Sequence, residues 1–202
     1  VNAFGEVIHA HGYRLRTAMA VLLKSKAFHH ERYRDTLPKN SIEFAVEVIR
    51  TLGLADAFDP NEGQRKLVAM GMPVNDAPSV FWFNPRSWTG PGVLLERANF
   101  VAHVLSDSTS HRAPEPDWSP SSLLPAGGAD ARALIAHVAS RLGLGALSED
   151  QLLTIESYLN QNKTWDGRFE PAPYNNLNAD AQKRKGLGAY YVMASLPSFQ
   201  LK

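Results

Sequence analysis

Aromatic, arginine and asparagine residues gather in one stretch of this sequence: Phe81, Trp82, Phe83, Asn84, Arg86 and Trp88, followed by Arg97 and Asn99. Rings beside such polar groups can form a recognition surface, the ring supplying contact area and the guanidinium or amide supplying orientation. The same residues can instead hold a loop, with Arg97 and Asn99 satisfying the backbone carbonyls and amides of the irregular connection that precedes their helix. Trp82, Asn84, Arg86, Trp88, Arg97 and Asn99 therefore make a candidate binding or loop-anchoring surface, and the residues alone leave both roles open.

Other chemistry is thinly supported. The 7 histidines do not fall at metal-ligand spacing: His9 and His11 are two apart, His29 and His30 are adjacent, and helical geometry turns each pair to different faces. His30-Glu31-Arg32-Tyr33-Arg34 lacks the second histidine of a zinc-hydrolase helix. No metal is expected, and surface or capping roles are the simpler reading. With no cysteine in the chain, disulfides, thiolate zinc sites, iron–sulfur clusters and covalent haem are excluded. Gly143-Leu144-Gly145 and Gly186-Leu187-Gly188 follow no strand and lack a third glycine, so they read as helix stops or packing points and imply no dinucleotide cofactor. Asp166, Glu170 and Asp180 are the nearest thing to an acid cluster, but spacing cannot put two of them in one cleft.

Helices must position these residues. Asn40-Ser41-Ile42-Glu43 and Ser148-Glu149-Asp150-Gln151 have capping-box form, and Asp59-Pro60 places proline at a first helical position. Gly53 and Gly71 supply stops. After the first cap, Ile42, Val46, Ile49 and Leu52 predict a buried stripe. Similar spacing appears at Leu15, Met19, Leu22 and Leu23; at Leu94, Ala98, Val101 and Leu105; at Leu134, Ile135, Val138 and Leu142; and at Leu187, Tyr190 or Tyr191, and Ala194. Val80 to Phe83 is the best strand candidate and is too short for a sheet. The expected fold is all-α: an irregular helical bundle with long ordered loops and room for one short hairpin. Residues 1–105 form the main helical region, 106–128 a linker or loop rich in Ser, Pro, Asp and Gly, and 129–202 a C-terminal helical region packed on the first. The aromatic-rich stretch from Thr164 to Asn178 reads as a loop packed down on the surface.

Bulk properties narrow the function classes. The chain has 202 residues, 44% hydrophobic and 20% charged, which is ordinary globular composition. A net charge of +1 and one short basic run, Lys183-Arg184-Lys185, argue against a nucleic-acid binder. No apolar stretch is long enough for a membrane span and no leader opens the chain. Val1 falls inside a helical pattern, so the beginning of the polypeptide is expected to lie elsewhere.

Two runs carry a resemblance. One is Thr17-Ala18-Met19-Ala20-Val21-Leu22-Leu23-Lys24-Ser25-Lys26-Ala27-Phe28 followed by Leu37-Pro38-Lys39-Asn40-Ser41-Ile42-Glu43-Phe44 and on to Leu52-Gly53. The other is Met70-Gly71-Met72-Pro73, then Trp82-Phe83-Asn84-Pro85, then Leu94-Leu95-Glu96-Arg97-Ala98-Asn99-Phe100. In this order they resemble the C-terminal half of a bacterial family catalogued as domain of unknown function number 1800. The end, Met193 to Gln200, is similar to the family's closing Ser-Pro-Glu-Phe-Gln, with Leu196 where serine is usual.

The resemblance implies an exported protein, periplasmic or extracellular, whose signal segment and N-terminal half lie outside this chain. It also implies a partner: that N-terminal half of the same precursor, or another protein subunit. Whether the chain belongs to an enzyme is open. The first expectation is an interaction or structural helical domain; the alternative is part of an exported hydrolase-like enzyme acting on a cell-surface or extracellular polymer.

Overall fold

The computed structural model describes residues 2–33, 35–55, 58–76, 85–106, 120–125 and 129–202. Among them are eight α-helices and one two-stranded antiparallel sheet, as the all-α reading with one short hairpin requires. The strand expected at 80–83 and most of the linker expected at 106–128 lie outside the described residues. No described helix is long and apolar enough to cross a membrane.

By density of contacts the chain divides into two units, residues 1–37 with Lys202, and residues 38–201. The first holds α1 (Asn2–Ala10) and α2 (Leu15–Lys24), which pack on each other. The turn between them uses left-handed backbone at Gly12 and Tyr13. His11 Nδ1 donates to the Val7 carbonyl at 2.8 Å, and His29 Nε2 to the Leu23 carbonyl at 2.6 Å. These are the capping duties that free helix-end carbonyls demand.

The second unit holds α3 (Ser41–Thr51), α4 (Pro60–Ala69), α5 (Pro91–Leu105), α6 (Ala131–Arg141), α7 (Glu149–Asn160), the hairpin β1 (Gln161–Lys163) and β2 (Phe169–Pro171), and α8 (Ala179–Ala194). Local chemistry starts several of these helices. Asn40 Oδ1 accepts from the Glu43 N–H at 2.8 Å while Glu43 Oε2 accepts from the Asn40 N–H at 2.9 Å. Ser148 and Gln151 repeat the reciprocal pair, and Asp59 caps α4 ahead of Pro60. Gly53 and Gly71 lie in the left-handed region at φ +71° and +72°, where a side chain would be strained.

Helix α5 touches α3, α4 and α8, and α8 also touches α6 and α7, so α5 and α8 join two helical groups. Phe44, Phe58, Phe100 and Phe199 meet at their core, with ring centroids 5.7 to 6.4 Å apart. This cluster corrects the stripe read on α3. Ser41, Phe44, Ala45, Val48 and Leu52 face inward, whereas Val46 is exposed and Ile42 and Ile49 are half-buried. Phe44 buries more area than any of the β-branched residues and sets the rotation of the helix.

Gly186 and Gly188 lie within α8 and are packing points. A Cβ on Gly186 would stand 2.5 Å from Leu124 Cδ2, and one on Gly188 would stand 1.9 Å from Tyr158 Oη. Glycine costs a helix interior about 1 kcal/mol relative to alanine, which the close approach of neighbouring elements offsets here.

Candidate functional site

Arg97 is a buried cation of the second unit, 1% exposed. Its guanidinium donates to the Lys39 carbonyl at 2.6 Å and to Gln200 Oε1 at 2.9 Å, and its Cζ lies 4.9 Å from the centre of the Phe44 ring. Gln200 Nε2 donates onward to the Ala194 carbonyl at 2.8 Å, and the Lys39 N–H donates to the Gln200 carbonyl at 2.8 Å. Lys39 is also buried; its ammonium donates to the Phe199 carbonyl at 2.8 Å, pairs with Glu47 at 2.8 Å and lies 4.3 Å from the Phe199 ring centre. Burial lowers the Arg97 pKa to about 10, against the opposing pull of Glu43. The network ties the residues before α3, the middle of α5 and the end of the chain into one node, with both terminal nitrogens of Arg97 on fixed internal acceptors and its Nε buried without a partner among the described residues.

Leu37 to Phe44, Leu94 to Phe100 and Met193 to Gln200 are three of the stretches on which the resemblance rests, and the node draws residues from each. Of the six candidate positions, Trp82 and Asn84 lie outside the described residues, as does the side chain of Arg86. Trp88 is half-buried in the 3-10 turn Pro85–Thr89, Arg97 is buried, and Asn99 is exposed on α5. Arg97 and Asn99 thus share a helix but no environment. Sequence reasoning missed Lys39 and Gln200; the signal available was their place beside Phe44 and Phe199 in the motifs already singled out.

Beside the node is an apolar cavity of about 280 Å³ lined by Thr89, Leu94, Ala98, Pro197, Gln200 and Leu201, among others. Gln200, fixed by Arg97, thus also forms part of the cavity wall. Leu95, on the same helix, is exposed.

The stretch from Thr164 to Asn178 departs from expectation. Only Tyr174 among its aromatics is buried, with its hydroxyl donating to the Gln182 carbonyl at 3.1 Å. Residues 161–171 instead form the hairpin, with Trp165 99% exposed at its turn and Phe169 66% exposed on β2. Asp166 is committed to that turn. Its carboxylate receives the Thr164 hydroxyl and, at 3.3 Å, the Arg168 N–H, which hold its pKa below the ordinary value. Asp166, Glu170 and Asp180 are all exposed, so the expected acid cluster forms no sheltered pair. Among the described residues no three histidine or acidic side chains gather where a metal ion would be held.

No curated protein and no solved structure shows a significant match to the chain. The family comparison does, and it agrees with the motifs that meet at the Arg97 node: over residues 1–201 the sequence matches the model described as Protein of unknown function (DUF1800), and the chain belongs to that family.

Proposed function

We propose that this chain is an interaction domain, the C-terminal helical part of a longer exported protein, docking on the N-terminal half of the same precursor or on another subunit. The carrying observation is the outer face of α2. Leu15, Met19 and Leu23 recur every four residues and so share one face, yet Leu15 is 71% exposed and the other two are also exposed. Tyr13, Val21 and Phe28 add to the exposed apolar surface of this unit. An amphipathic row turned to solvent is what a helix presents when another polypeptide completes its packing.

The charge around it names the complementary surface. From Val7 to His30 there is no aspartate or glutamate, while Arg14, Arg16, Lys24 and Lys26 flank the row. A partner with an apolar centre and an acidic rim fits this pattern, and the cations speed and orient encounter more than they add affinity. Export rests on the family resemblance and belongs to the same proposal.

The purified 202-residue chain should bind a hydrophobic dye and self-associate in sedimentation velocity. Replacing Leu15, Met19 and Leu23 with glutamine should reduce both. A wild-type chain that remains monomeric and binds no dye would refute the reading.

A further inference from the structure

The hairpin supports a second site, independent of the α2 face. Its turn is held at several points. The Thr164 N–H donates to the Arg168 carbonyl at 2.8 Å, the Gly167 N–H to the Thr164 carbonyl at 3.0 Å, and the Thr164 hydroxyl reaches the Arg168 carbonyl at 3.0 Å. Gly167, at φ +87°, takes the left-handed turn position that other residues resist. Asp166 fastens the turn further through Thr164 and Arg168. A turn so constrained holds Trp165 fully in water, where the indole contributes nothing to the fold. Rigid presentation lowers the ordering cost of binding.

Below the turn, the register places Gln161 opposite Pro171 and Lys163 opposite Phe169. Directly opposed residues share a face of the ribbon, so Lys163 and the exposed Phe169 ring stand side by side. That ribbon meets α7 and α8 at a cavity of about 490 Å³, whose lining includes Tyr158, Gln161, Asn162, Lys163, Phe169 and Lys185. Among the described residues no carboxylate lines it, while two lysines do. Lys185 is part of the frame: its ammonium donates to the carbonyls of Tyr158, Leu159 and Gln161 at 3.3, 2.9 and 2.5 Å, closing the C-terminal end of α7. Lys163 is exposed on the ribbon.

The combination is specific in kind. Exposed rings offer flat apolar faces to the C–H face of a pyranose; the Gln161 and Asn162 amides and the Tyr158 hydroxyl offer donors and acceptors to ring hydroxyls; and the lysine lining favours a carboxylate or sulfate substituent. We propose that the hairpin and the adjoining cavity bind an anionic saccharide chain, with sugar rings stacked on Phe169 and Trp165 and acidic substituents facing Lys163.

Trp165 is one of four tryptophans, so the part of the fluorescence change that is absent in Trp165→Ala reads this. Polygalacturonate, alginate and hyaluronan are titrated into the chain, with dextran as neutral polymer and vesicles of phosphatidylcholine with phosphatidylglycerol as anionic lipid. Saturable binding is expected for at least one acidic polymer, about tenfold weaker in Trp165→Ala, the ratio equivalent to one lost stacking contact, and also weaker in Lys163→Gln. The variants' binding is followed by sedimentation with labelled polymer, since Trp165→Ala removes the reporter. Trp165 is fully exposed, so circular dichroism of that variant should match wild type. No binding to any acidic polymer, binding unchanged in both Trp165→Ala and Phe169→Ala, equal affinity for dextran, or binding to vesicles alone would each overturn the proposal.

Discussion

The Arg97 node and the Trp165 hairpin use similar residues under opposite conditions. Each sets a cationic side chain beside aromatic rings and backbone carbonyls. At the node, Arg97 and Lys39 are buried, and the two terminal guanidinium nitrogens and the Lys39 ammonium end on internal acceptors. At the hairpin, hydrogen bonds fix the backbone turn and leave Trp165 and Phe169 in water. An arginine beside an aromatic ring therefore does not identify a recognition surface. What separates the two regions is where the hydrogen bonds go: into holding three chain segments together at Arg97, and into holding a platform still at Trp165.

The largest effect should come from the node. Arg97→Ala removes both donors and leaves the Lys39 carbonyl and Gln200 Oε1 buried without them, at about 1–3 kcal/mol for each unsatisfied group. A loss of about 3 kcal/mol in total should lower the melting temperature by roughly 6–12 °C at this chain length, with α5 no longer tied to the end of the chain. Trp165→Ala should leave the melting temperature where it is. Equal melting temperatures for the two variants, measured by calorimetry, would erase the distinction.

A smaller effect sharpens the contrast within one helix. Gly186 faces Leu124 and the buried Tyr174, whose hydroxyl is engaged with Gln182, whereas Gly188 faces Tyr158, which is exposed enough to swing outward. Gly186→Ala should cost about 1–3 kcal/mol in overpacking, reduced by about 1 kcal/mol of helix propensity, for a net loss near 1 kcal/mol. Gly188→Ala should leave stability nearly unchanged while displacing Tyr158 from the cavity beside the hairpin. Denaturant unfolding measures the first effect, and polymer affinity the second. Gly188→Ala proving the more destabilising would show that Tyr158 is locked in place.

The features that could be read directly from sequence were those made by near neighbours. The pairs Asn40 with Glu43 and Ser148 with Gln151 are three residues apart, and their geometry follows from helix initiation itself. The inward face of α3 depended on Phe100 and Phe199, distant in sequence, so the stripe through Ile42 and Val46 was rotated from the true one. The spacing at Leu15, Met19 and Leu23 correctly marked a helix but could not say that its apolar face is turned to solvent. Arg97 stood out by type, yet its partners are 58 and 103 residues away, which is why Lys39 and Gln200 were passed over. A short hairpin was allowed for, but its place was missed because its strands, Gln161–Lys163 and Phe169–Pro171, are short and wholly exposed and lack the alternation a half-buried strand shows. Asp166-Gly167 was the turn signal present.

The smallest expected effect is local and tests whether the platform is held as described. Hydrogen bonds from Thr164 and Arg168 hold the Asp166 carboxyl below its ordinary pKa of 3.8, so the folded turn prefers the charged form. A carboxylate with a depressed pKa stabilises the structure fully above its ordinary value, and that contribution fades as pH falls through the folded value. The turn should therefore be fully fastened at neutral pH and loosen in acid below the ordinary carboxylate range. The amide resonances of Thr164 and Arg168 should move together there, and Trp165 anisotropy should fall. In Asp166→Asn both should lose their acid transition, while thermal unfolding of the rest of the chain at neutral pH stays unchanged. If Trp165 is as ordered in Asp166→Ala as in wild type, the platform owes its stillness to something other than this turn. If the substitution instead lowers global stability as Arg97→Ala does, the hairpin is as much a part of the core as the node it was contrasted with.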